Sequence, residues 1–217
     1  VKHSRSVEDY LKAIYTVGND DVASTTDVAR HLNISAASVT GMLKKLDEMK
    51  LVKYERHRGV RLTHAGRLAA LEIIRHHRLL ELYLHEALGY PWDRVHEEAE
   101  KLEHHISEEF EDRIAAALGD PSYDPHGDPI PAKDGRLPRT WTERLSDAVI
   151  GETVIVRRVD SSNTRLLRSL FEHGVALGAA LRVQERHPRT DAVTVRFKRT
   201  SITLDRVSAS HIFIERP

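Results

Sequence analysis

The sequence predicts a mainly α-helical chain with a small β module at its C-terminal end, and three observations carry that prediction. Apolar residues recur at helical spacing from Val7 to Leu118, five of the eight prolines crowd between Pro121 and Pro138, and short β-branched runs alternate with glycines and charged turns from Val149 to Pro217. The resulting division is 1–63, 64–120, a Pro/Gly-rich linker at 121–146, and 147–217. At 217 residues the chain has room for two or three small domains with cores of their own. Its 30% charged and 40% hydrophobic residues exclude a mostly disordered chain. The absence of cysteine excludes disulfides, a thiolate zinc site and a thiol nucleophile. No apolar run approaches the roughly 18–20 residues of a membrane span, and the opening VKHSRSVEDYLKAIY lacks the apolar core of a signal peptide. The expectation is a soluble, cytoplasmic protein with no membrane partner.

Equal totals of 33 basic and 33 acidic residues hide a partition. Residues 1–63 carry 11 basic against 8 acidic side chains, residues 64–120 carry 6 against 13 with seven of the 14 histidines, and residues 121–217 carry 16 against 12. Basic ends suit a polyanion, and an acidic, His-rich middle suits a divalent cation.

Each element of the first third has a local reason. Residues 6–17 place Val7, Leu11, Ile14 and Tyr15 on one helical face. STTDVARHLNISAASVTGMLKKLDEMKLV then reads as two helices joined by a short turn, the first capped by Thr25 or Thr26 and the second by Ser35. Val39, Leu43 and Leu46 form the buried stripe of the second, leaving Ser35, Ala36, Ala37, Ser38, Thr40 and Lys44 outward. Small side chains on an exposed N-terminal turn let a helix approach base edges in the major groove. LVKYERHRGVRLT reads as a β-hairpin with a basic tip, Arg56, His57, Arg58 and Gly59, suited to phosphates or the minor groove. The whole is a winged helix-turn-helix that reads double-stranded DNA.

The middle third reads as two helices, about Thr63 to Leu88 and Trp92 to Leu118, broken at Gly89-Tyr90-Pro91. His77 and Glu81 stand at i and i+4 on the first. His96, Glu100, Glu103 and His104 form one continuous stripe on the second, and two such faces together supply a metal shell. The competing reading is a solvated acidic face. Ile106, Phe110, Ile114, Ala117 and Leu118 extend the second helix as an apolar surface for a two-fold homodimer, the usual state of winged-helix readers on near-palindromic sites. In the last module VTVRFKRTSITL and HIFIERP read as strands and Asn163 to His173 as one short helix.

The order helix, helix-turn-helix, wing, RHHRLLE, VHEEAEKLEH and HGDPIP resembles the diphtheria toxin repressor family of iron- and manganese-dependent regulators, over about residues 5–132. The resemblance implies a winged helix-turn-helix DNA-binding domain (1–63), a helical metal-binding and dimerisation domain (64–120) and a C-terminal SH3-like β barrel (147–217). It places a primary metal site on Asp9, Glu100, Glu103 and His104, and an ancillary site on His77, Glu81 and His96. Where iron-type members have Met and Cys in the primary site, this chain has Asp9 and Glu100. Hard oxygens in place of sulfur favour Mn²⁺, with Fe²⁺ also accepted and other divalent metals binding in vitro. Manganese-type members commonly carry a Glu three residues after the Asp, as part of a two-metal cluster; this chain departs from that pattern with Lys12. Some relatives complete the ancillary site from the SH3-like domain, at positions that align with Asn163 and Leu166, beside Glu172 and His173.

What the resemblance implies in function is a metal-dependent transcriptional regulator that binds palindromic operator DNA when loaded and represses metal-uptake genes. A cation joining Asp9 to the middle third would fix the reading heads and raise DNA affinity. For Asp9 the alternative is a capping box at Ser6-Val7-Glu8-Asp9. Two rival functions stand beside this one. A ferritin-like di-metal enzyme needs a Glu-x-x-His pair, but the residues three before His77, His96 and His104 are Ile74, Asp93 and Lys101. A DNA-binding regulator with a non-metal ligand would use the acidic middle only as a dimerisation scaffold.

Overall fold

The structure, a computed structural model, describes residues 3–18 and 21–217. It divides into two compact units: Val1–His77 with Leu102–Ser107 and Pro131–Leu137, and Arg78–Lys101 with Glu108–Ile130 and Pro138–Pro217.

In the first unit, α1 (Arg5–Gly18) buries Val7, Tyr10, Leu11, Ala13 and Ile14 against α2 (Thr25–His31) and the wing. Its helix begins at Arg5, so Ser6 lies inside the first turn and no capping box forms at Ser6–Asp9. Ser24, rather than Thr25 or Thr26, caps α2: its hydroxyl accepts from the Asp27 amide at 3.0 Å and donates to the Asp27 carboxylate at 2.7 Å. Ser35 caps α3 (Ala36–Glu48) as expected, accepting from the Ser38 amide at 3.1 Å. Strands β1 (Val52–Glu55) and β2 (Gly59–Leu62) pair antiparallel from Val52↔Leu62 to Glu55↔Gly59. The core is Leu11, Ile14, Val28, Val39, Leu43, Leu46, Val52 and Val60, and it contains Leu11 and Ile14 of the first stripe read from the sequence and all of Val39, Leu43 and Leu46.

Helix α4 (His64–Glu86) opens where Thr63 accepts from the Gly66 amide at 3.1 Å. The second predicted long helix is two shorter ones, α5 (Val95–Leu102) and α6 (Glu108–Ala117). Between them residues 103–107 form a turn, closed by the His105 amide donating to Leu102 at 2.8 Å. The break corrects the continuous stripe. Glu103 and His104 leave the helix, and His76 Nδ1 bonds the freed Glu103 carbonyl at 3.2 Å.

The second unit is built on a five-stranded antiparallel sheet in the order β6-β5-β4-β3-β7, from β3 (Thr153–Val159), β4 (Ala180–Arg186), β5 (Val193–Phe197), β6 (Thr200–Leu204) and β7 (Ile212–Glu215). Helix α7 (Thr164–Glu172), capped by Asn163, buries Leu166, Leu167 and Leu170 against Val154, Val156, Leu181, Val195 and Ile212. A short α8 (Arg206–Ser210) precedes β7. Trp92 joins this core and donates to the Pro125 carbonyl at 2.8 Å, anchoring the Pro-rich stretch. The Val159 amide donates to the His126 carbonyl at 2.8 Å, and Arg158 holds Asp128 at 2.9 Å. At Gly127, φ is +88° and a Cβ would lie 2.1 Å from the Arg157 carbonyl oxygen, so only glycine fits between the HGDP segment and β3.

Gly127→Ala should therefore cost more than Gly89→Ala, which has φ +68° but open space around the missing Cβ. We expect about 1–2 kcal/mol for the left-handed backbone alone at Gly89, and a clearly larger loss at Gly127, read as the shift in urea midpoint. Equal losses would refute the close-approach argument.

Candidate metal centre and nucleic-acid interface

Three of the four predicted primary residues belong to the first unit, and they meet. Helix α1 presents Glu8, Asp9 and Lys12, and the turn after α5 presents Glu103 and His104. One ligand atom from each of Asp9, Glu103 and His104 lies within 4.8 Å of the others. Glu103 is fully buried; Lys12 Nζ donates to both its oxygens at 2.8 and 2.9 Å, and His77 Nδ1 bonds it at 2.5 Å. Burial pushes the Glu103 carboxyl up, but His77 and the Lys12 ammonium overcome that and hold it below the usual glutamate range.

His104 decides what the cluster can do. Its Nδ1 donates to Glu8 at 2.7 Å, which in the neutral imidazole leaves Nε2 as the acceptor. Nε2 then turns its lone pair toward Asp9 at 2.8 Å and Glu103 at 3.3 Å. Neither contact has hydrogen-bond direction, and Nε2 is buried without a hydrogen-bond partner. Lys12 and His77 bond Glu103, but no donor lies between Nε2 and the Asp9 and Glu103 oxygens it faces, and a cation placed among the three removes that repulsion. The residues therefore fit a divalent ion held by carboxylate oxygens and one imidazole nitrogen. Glu8 was not singled out in the sequence; a carboxylate one residue before a ligand on a helix carries no signal until the far end of the chain is folded onto it.

Glu100 and the ancillary residues Glu81 and His96 lie in the second unit, whereas the third ancillary residue, His77, lies in the first and is bound to Glu103. His96 Nδ1 donates to Glu81 Oε1 at 3.1 Å, and its Nε2 is 3.9 Å from Glu100. The other Glu81 oxygen faces a pair that sequence reasoning missed as ligands, Asp124 and His126; all three are buried with ligand atoms within 4.8 Å of each other. His126 Nε2 donates to the Trp92 carbonyl at 2.9 Å, its ring stacks on Trp92, and Nδ1 has no hydrogen-bond partner, 3.8 Å from Glu81. Burial first, then the charges of Asp128 and Glu81, push the Asp124 carboxyl well up. Burial lowers His126, but the Glu81 and Asp124 carboxylates outweigh it and raise the imidazole. The HGDPIP segment was the available signal. Asn163 and His173 serve α7 instead, Asn163 as its cap and His173 Nδ1 on the Ser169 carbonyl at 2.7 Å.

The other predicted surface lies on the first unit. Ser35, Ala36, Ala37, Ser38 and Lys44 are exposed along α3, with Thr40 half-buried. A groove of about 590 Å³ runs between Thr25, Thr40 and Lys44 on one side and Arg56, His57 and Arg58 of the wing on the other. The wing tip turns at His57, with φ +67°. Of the apolar positions expected to meet a second copy, Phe110 and Ala117 are exposed, Ile106 and Leu118 are half-buried, and Ile114 is buried within the chain and so corrected. Among the described residues, no helix is long and apolar enough to cross a membrane.

Comparison with known proteins bears on the family of the chain. Residues 2–60 match the family model described as "Iron dependent repressor, N-terminal DNA binding domain", residues 63–132 match "Iron dependent repressor, metal binding and dimerisation domain", and residues 143–216 match "FeoA domain". The chain is 28% identical to the "Iron-dependent repressor IdeR" of Mycobacterium leprae over 97% of both chains. It is 36% identical to the "HTH-type transcriptional regulator MntR" of Lysinibacillus sphaericus over 51% of this chain and 79% of that one. A solved "Manganese-dependent transcriptional repressor complex with manganese" superposes with a TM-score of 0.89 at 37% identity, covering 97% of this chain and all of the other. With its reading helix, wing, metal-binding module and β module all matched, the chain belongs to the iron-dependent repressor family, the family of the diphtheria toxin repressor.

Proposed function

We propose that this chain is a divalent-metal-dependent repressor, acting as a homodimer on near-palindromic operator DNA at metal-uptake genes, with Mn²⁺ as its ion and Fe²⁺ also accepted. One observation carries the reading: the buried His104 Nε2, without a hydrogen-bond partner, among the Asp9 and Glu103 oxygens, in the unit that also carries α3 and the wing. Asp9, Glu103 and His104 would hold the ion, whose charge would neutralise their mutual repulsion. Glu8 orients His104, and His77 orients Glu103. Because α1 packs on α2 and β2, fixing Asp9 fixes the helix against which the reading head rests. The oxygen-rich donor set, without Cys or Met, supports Mn²⁺ or Fe²⁺ over softer ions. Glu81, Asp124 and His126, with the same chemistry of a one-sided imidazole among carboxylates, would form a second cation place. The exposed Phe110 and Ala117 on α6 support a two-fold contact between chains.

The test is capture of sheared genomic DNA with Mn²⁺ and with chelator at about 0.15 M salt, fixed because phosphate binding is steeply salt-dependent. Discrete fragments enriched only with Mn²⁺ would establish the switch, and equal enrichment with chelator would sink it.

Two predictions follow from the site. Asp9→Ala and His104→Ala should each remove most of the metal-dependent gain in DNA affinity, up to about 150-fold for a coupling of about 3 kcal/mol, measured by fluorescence anisotropy on a captured fragment. Arg56→Ala and Arg58→Ala should each lower the slope of log K against log salt by about 1 while leaving Mn²⁺ binding intact. A slope unchanged in both variants would remove the wing from the phosphate contacts.

A further inference from the structure

We propose that Lys12 is a tethered counter-ion of the Asp9–Glu103–His104 cluster, whose ammonium must leave Glu103 before a divalent ion binds, so that Lys12 sets the metal concentration to which the protein responds. The inference rests on the reading of that cluster as the metal centre. Its observation is the grip of one ammonium on both oxygens of a fully buried carboxylate, at 2.8 and 2.9 Å, with His77 Nδ1 a further 3.4 Å away. An ion using Glu103 needs at least one of those oxygens, and two cations sharing one carboxylate repel. The lysine has somewhere to go: its side chain is 18% exposed, on a four-carbon stem that can swing into water while the backbone of α1 stays in place.

Lys12 therefore has two effects of opposite sign. In the metal-free protein it compensates the buried Glu103 charge and stabilises the fold. Against an incoming ion it competes. An ordinary structural ion pair would produce only the first effect, or would help metal binding by holding Glu103 in place. Competition also converts a tight oxygen site into one that loads only above a threshold, which is what a sensor requires.

The experiment measures Mn²⁺ affinity of the full chain from the electron paramagnetic resonance of free Mn²⁺ at fixed ionic strength, for the parent, Lys12→Met and Lys12→Arg. Lys12→Met should bind Mn²⁺ about tenfold more tightly or better, the scale on which outer partners tune a site. Its metal-free melting temperature should fall below the parent's. Lys12→Arg, which keeps a cation on Glu103, should bind like the parent. Should Lys12→Met fold poorly, the parent itself answers. Lys12 acylation by an amine reagent, read by mass spectrometry, should be slow in chelator and rise with Mn²⁺. Lys12→Met binding no more tightly than the parent, or acylation that fails to rise with Mn²⁺, would overturn the proposal. A parent with no saturable Mn²⁺ binding would instead overturn the metal reading of the cluster and take this inference with it.

Discussion

Buried histidines that satisfy one ring nitrogen and turn the other toward carboxylates are the constraint from which the candidate sites derive. In the first unit Glu8 accepts a hydrogen bond from His104 Nδ1, and the opposite nitrogen faces Asp9 and Glu103. In the second the Trp92 carbonyl accepts a hydrogen bond from His126 Nε2, and the opposite nitrogen faces Glu81. A ring nitrogen buried against carboxylates without a hydrogen bond calls for a compensating charge, an added cation or a proton, because an unmet buried group costs more than a made hydrogen bond gains. The same logic explains why Lys12 sits where it does. It is a cation supplied by the chain to a buried carboxylate whose other side-chain contact is His77.

That constraint also shapes the backbone. Helix α5 ends at Leu102, one residue short of Glu103, and a five-residue turn separates it from α6. A continuous helix would hold Glu103 and His104 a quarter-turn apart on its surface. The turn lets both side chains point inward while His76 takes the carbonyl that leaves the helical ladder. On the other side, Gly127 lets the HGDP backbone touch β3, which brings Asp124 and His126 beside Glu81. Both clusters thus depend on irregular backbone supported by regular elements, the usual way a site is positioned.

Wherever one periodicity ran uninterrupted, the sequence was legible. The stripes Val7–Leu11–Ile14 and Val39–Leu43–Leu46, the Ser35 cap, the basic hairpin and the strands at Val193–Leu204 were all readable, because each is a local pattern with a local cause. The cap of α2, expected at Thr25 or Thr26, falls on Ser24, the first of three adjacent hydroxyl side chains, which sequence cannot rank without the Ser24–Asp27 reciprocity. Ile114 satisfied the same period as Phe110 yet packs inward, since period alone does not say which neighbour covers a face.

What the sequence by itself determined is the cast: a winged helix-turn-helix, a His- and Glu-rich helical middle without sulfur ligands, and a β module. Residue type sets donor hardness, and 3.6- and 2-residue periods set the elements. The tertiary structure alone decided the assignments. It set Glu8 behind His104, gave Lys12 to Glu103, and drew Asp124 and His126 to Glu81. These pairings join positions up to 96 residues apart, and no local pattern encodes them. They arise only when chain reversals bring charges together and burial makes each unmet one costly.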